Sequence, residues 1–128
     1  MNKVSRSSVA ASYFVGIVLA APFATMAADA PLSYKASPEI YKLLAENDQF
    51  RVILATWKPG QRDAQHSHSA ATAYRLTGCK SRIFGPDGKV LSEGEAKAGS
   101  VVLNNAIVSH SLENIGTTDC QTLLVERK

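Results

Sequence analysis

Residues 60–78, GQRDAQHSHSAATAYRLTG, carry two of the chain's three histidines, His66 and His68, one residue apart. In a β-strand, side chains two residues apart stand on the same face, so His-x-His aims two imidazoles at one point. That is the beginning of a transition-metal site. The third histidine, His110, lies about forty residues further on in another strand-like run, and no histidine is spent elsewhere. The chemistry of this stretch therefore needs a fold of strands that brings His110 back to the pair.

Working outward, the hydrophobic period is two. Residues 50–57, FRVILATW, are rich in β-branched and aromatic side chains and read as a strand. Residues 65–68 and 73–77 read as strand pieces around the histidines. Residues 80–84, 89–93, 95–97, 101–103, 109–113 and 121–126 complete the set. Lys58-Pro59-Gly60 and Gly85-Pro86-Asp87-Gly88 are turns. Short strands punctuated by Gly, Pro and Asn argue for an all-β sandwich or barrel, whose interior is left for side chains or a ligand. Upstream, residues 31–37 read as extended. Ser37-Pro38 then opens a short N-terminal helix over EIYKLLAEN (39–47): Ser is a good N-cap, Pro suits the first turn, and Ile40, Leu43 and Leu44 have helical spacing.

The first 28 residues read as a signal peptide, with Lys3 and Arg6, an apolar run YFVGIVLAA (13–21) and then small residues. Cleavage is expected after Ala27 or Ala28, with an uncleaved anchor as the alternative. The apolar run is short for a membrane span. Residues 29–128 then form one exported domain, periplasmic or secreted, with no membrane attachment after cleavage. The leader holds two of the fourteen basic residues and none of the eleven acidic ones, leaving a mature net charge of +1. Nothing in this balance points to nucleic acid. Cys79 and Cys120 remain as an even pair, which in an exported protein reads as a disulfide closing a loop of about forty residues. The competing reading is two buried small hydrophobes.

These residues together resemble the cupin superfamily, the small double-stranded β-helix or jelly-roll barrels. Its first motif runs Gly, five residues, His-x-His, then a glutamate and a closing glycine. Gly60, His66, His68 and Gly78 match it. Its second runs Gly, five residues, Pro-x-Gly, two residues, His, three residues, Asn. Gly99, His110 and Asn114 match, while Asn105 and Ile107 replace the proline and glycine. The glutamate is absent, its region reading Ala70-Ala71-Thr72-Ala73. Three of the usual four metal ligands are therefore present. Among nearby carboxylates, Glu113 is expected on the face opposite His110, and Asp63 in the loop before the pair. Tyr74 shares parity with His66 and His68 and is carried as a pocket residue, with a core aromatic as the alternative.

The resemblance implies an interior site in which His66, His68 and His110 hold a divalent transition metal: Fe, Mn, Ni, Cu or Zn. Three neutral ligands leave the ion's charge uncancelled and positions open for water, dioxygen or a chelating substrate. Two functions follow as expectations. One is an oxygenase-type metalloenzyme acting on a small-molecule ligand. The other is a non-catalytic small-molecule or metal-binding module, metal-free if the histidines only bond one another. Small cupins often pair through edge strands, which implies a homodimer. Trp57, Phe50, Phe84 and Leu103 read as core or pocket lining. Asn114 reads as organising its turn, and Arg75, Arg82 and Lys89 as outer-face charges.

Overall fold

In a computed structural model, residues 29–128 are described, and the signal peptide expected over residues 1–28 lies outside them. The architecture is all-β and antiparallel, as expected. Among the described residues nine strands follow one short helix: α1 (Ser33–Ala36), β1 (Tyr41–Glu46), β2 (Phe50–Trp57), β3 (His66–His68), β4 (Ala71–Arg75), β5 (Cys79–Phe84), β6 (Val90–Ala96), β7 (Val101–Asn104), β8 (Ile107–Asn114) and β9 (Cys120–Arg127). They form a five-stranded sheet, β1-β2-β9-β4-β7, and a four-stranded sheet, β3-β8-β5-β6. Inward side chains of both sheets line one cavity.

Alternation carries the core. Ile53, Ala55 and Trp57 of β2, Ala71 and Ala73 of β4, and Cys120, Thr122, Leu124 and Glu126 of β9 are buried. Their odd-or-even neighbours face outward, as a period of two demands. Trp57 is core, and Phe84 is buried with the Arg62 guanidinium 3.5 Å from its ring centroid. Phe50 and Leu103, expected inside, are exposed at 42% and 79%. Both lie on the outer parity of their strands.

The N-terminal helix is displaced. Residues 41–46 form strand β1, pairing with β2 from Tyr41↔Ala55 to Glu46↔Arg51. The register shifts between Leu43 and Ala45. Leu43 and Leu44 are both exposed on this edge strand, so their helical spacing marks no buried face. The open edge of β2 offers a full ladder, and such tertiary pairing overrides a weak local preference. The helix instead occupies Ser33–Ala36, within the stretch expected to be extended. Ser37 closes it, its N–H donating to the Ser33 carbonyl, while its Oγ accepts from the Ala64 N–H at 2.9 Å.

Two other local expectations hold. Cys79 and Cys120 form a disulfide with Cα atoms 5.0 Å apart, tying β5 of one sheet to β9 of the other. Asn114 is buried and organises its turn: Nδ2 donates to the Trp57 and Thr118 carbonyls, and Oδ1 accepts from the Gly116 N–H. The motif glycines Gly60 and Gly99 have φ of 76° and 79°, a left-handed geometry that glycine adopts without steric penalty. Among the described residues no helix is long and apolar enough to cross a membrane.

Candidate metal centre

Strand β3 is three residues long, and its register with β8 sets His66 directly opposite His110. His68 pairs with Ile107 across an irregularity. His66 and His68 share a face, as the spacing requires. Ser67 points the other way: its Oγ donates to the Ala30 carbonyl, and its N–H donates to that of Pro31 at 2.8 Å. The three imidazoles converge, with ring centroids 4.7 Å apart for His66–His68, 4.5 Å for His66–His110 and 5.1 Å for His68–His110. One ligand nitrogen from each lies within 4.8 Å of the others, so the trio could hold a metal ion.

The surroundings decide which nitrogens are free. His66 Nδ1 lies 2.8 Å from the Ala64 carbonyl oxygen. That oxygen can only accept, so Nδ1 carries the proton and Nε2 the lone pair. His68 Nδ1 lies 2.5 Å from Glu126 Oε1, which places its proton on Nδ1 in the same way. The two Nε2 atoms are 2.9 Å apart. Tyr41 Oη is 3.2 Å from His66 Nε2, but its proton is committed to Asp63 Oδ2 at 2.8 Å. His110 Nε2 is buried and has no hydrogen-bond partner. Converging lone pairs of this kind repel one another unless a cation lies among them. Metal–nitrogen bonds of about 2.0–2.1 Å let two such nitrogens share one ion at roughly a right angle.

Burial also favours the neutral form of His66 and His110. It pushes His110 down to about 3, with His66 and His68 adding to the effect. It lowers His66 as well, against the opposing pull of the Asp63 carboxylate and the Ala64 carbonyl. Neutral imidazole is the ligating form.

Two carboxylates stand behind the histidines. Asp63 is buried and accepts from Tyr41 Oη, from Trp57 Nε1 at 2.9 Å and from the Leu112 N–H at 2.6 Å. Its Oδ1 is 3.6 Å from His66 Nδ1. Glu126, fully buried on β9, orients His68, and Arg51 NH1 lies 3.9 Å from its other oxygen. Such partners orient ligating imidazoles and raise their basicity. Glu126 was invisible to motif spacing, standing 58 residues from His68. One sequence signal could have found it. It shares the inward parity of Thr122 and Leu124 on β9, where a charge is out of place.

A cavity of about 420 Å³ opens beside the trio, lined by His68, His110, Tyr41, Ala73, Ile83 and Leu124 among others. Tyr74 does not line it and is 43% exposed. The connection at Ser69 and Ala70 carries the chain from the four-stranded to the five-stranded sheet, so parity restarts at Ala71. For the same reason Arg75, expected on the outer face, points into the cavity. Glu113 lies away from His110, pairing with Arg82 at 3.5 Å; Arg82 also meets Glu93, and Lys89 meets Asp87. Those two cations are on the outside as expected.

No protein-family profile and no curated protein matches this chain. Solved structures do. A cupin domain from Bordetella pertussis Tohama I superposes with a TM-score of 0.62 at 20% identity, over 70% of this chain and 92% of the other. A cupin family protein with a double-stranded β-helix fold from Methanocaldococcus jannaschii gives 0.56 at 13% identity, over 69% and 78%. A cupin superfamily protein from Desulfitobacterium hafniense gives 0.51 at 13%, over 69% and 75%.

Proposed function

On the cupin fold that this chain carries, we propose an exported metalloprotein that holds a divalent transition metal on His66, His68 and His110 and presents it to a small organic ligand in the barrel. The observation that carries the reading is the convergence of three buried or half-buried imidazoles, His110 with its Nε2 buried and unpartnered, His66 and His68 with their rings held by Ala64 and Glu126. When bound, the ion supplies Lewis acidity and open coordination positions. The chain's own residues orient the three rings, and the largely apolar lining limits water around them. The ion is Fe, Mn, Ni, Cu or Zn, since imidazole suits all of them. The catalytic form of this reading is an oxygenase-type reaction. Its rival is binding without turnover, favoured because no carboxylate among the described residues lines the cavity to serve as a general base.

Export rests on the leader and is supported by the Cys79–Cys120 disulfide. A homodimer is supported by apolar side chains on the outer face of the five-stranded sheet, including Leu103 and Val101.

The test is elemental analysis of the mature protein, purified without chelator or affinity tag. Near-stoichiometric metal that is lost in His110→Ala is expected. Protein that is metal-free and takes up no added divalent ion sinks the reading. Substrate-dependent oxygen consumption, abolished in His66→Ala, separates enzyme from binder.

A further inference from the structure

Arg75 has no structural partner for its charge. It ends β4, and its side chain enters the cavity beside the histidines. One of its five N–H donors is placed, from NH1 to Thr122 Oγ1 at 2.7 Å. Its Nε is buried without a partner. Among the described residues Arg75 takes part in none of the ion pairs, and no carboxylate lines the cavity. The two buried acids are engaged elsewhere, Asp63 by Tyr41 and Trp57, Glu126 by His68. A guanidinium in an apolar wall is unfavourable unless something pairs with it. Its planar fork matches a carboxylate.

We propose that the cavity takes a small organic carboxylate, the carboxylate bound by Arg75 and the apolar body lying against Ala73, Ile83 and Leu124, with its other end towards the histidines. This deepens the metal-site reading and rests on it for the role of that second end. The strand places the two ends apart: four residues, about 13 Å of β4, separate Ala71, which is paired with Glu126, from Arg75. A cavity of 420 Å³ falls in the range of small-molecule sites.

The experiment is calorimetric titration of mature protein, as purified, with two pairs of equal-sized probes: benzoate against benzamide, and butanoate against butanamide. Metal content is measured on every sample. Wild type is expected to prefer the carboxylates by about tenfold to a hundredfold more than Arg75→Gln does, with metal content equal in the two. Arg75→Lys, which keeps the charge without the fork, is expected to fall between them. A preference that is absent in wild type, or equal in wild type and both variants, overturns the proposal. The metal reading fails separately, by lack of metal in wild type, and a carboxylate preference that depends on Arg75 would survive that failure.

Discussion

Replacing Glu126 by Gln keeps the shape of the side chain and removes its charge. In the native chain Oε1 receives the His68 Nδ1 proton, and the residue has no exposed surface. A neutral amide oxygen can still accept that proton, but charge-assisted hydrogen bonds are roughly twice as strong as neutral ones. The imidazole loses basicity and part of its orientation. Loss of such a partner weakens metal affinity by about 10- to 100-fold, or about 1.4 to 2.8 kcal/mol. The assay is competition between the protein and a chromophoric chelator for Zn²⁺ at pH 7.5, with His110→Ala as the variant expected to lose the site altogether. A urea titration of the metal-free proteins runs in parallel, because Arg51 also loses its buried neighbour. Zinc affinity within about twofold of wild type in a normally folded Glu126→Gln protein would refute the reasoning that this carboxylate sets the ligand.

Three further outcomes are expected. Removing the disulfide in a Cys79→Ala/Cys120→Ala protein, with its separation of 41 residues, should lower stability by about 4 kcal/mol, read from the urea midpoint. Asp63→Ala strands the buried Tyr41 hydroxyl, Trp57 N–H and Leu112 N–H together, and should destabilise the fold by about 3–5 kcal/mol in the same assay. In metal-free protein, His110 binds a proton only below about 3 when folded but from about 6.5 downward when unfolded. The unfolded chain therefore binds more protons within that window, so stability is full above pH 6.5 and falls as the pH is lowered through it, by up to about 5 kcal/mol. Thermal melts of wild type and His110→Gln across pH 3–8 should show a slope for the first that is shallower in the second.

Much of the protein was legible in local pattern. The two-residue period of β2, β8 and β9, the turn at residues 85–88, the shared face of His66 and His68 and the pairing of Cys79 with Cys120 are readable because each rests on neighbours along the chain or on one sparse residue type. What resisted depends on contacts between distant segments. The run Ile40, Leu43, Leu44 fits a helix by itself and becomes a strand because β2 presents an open ladder. Tyr74 and Arg75 exchange their expected faces because the chain changes sheets at Ser69 and Ala70, and alternation has no memory across such a crossing. Glu126 reaches His68 only because β9 lies beside β4 and pairs it with Ala71. Sequence by itself determined the shared face of the His66–His68 pair and the strand period, since both are properties of one residue and its neighbours. The carboxylate behind His68 and the cation within the cavity were decided by tertiary structure, because register and sheet order belong to pairs of strands and are written in neither strand alone.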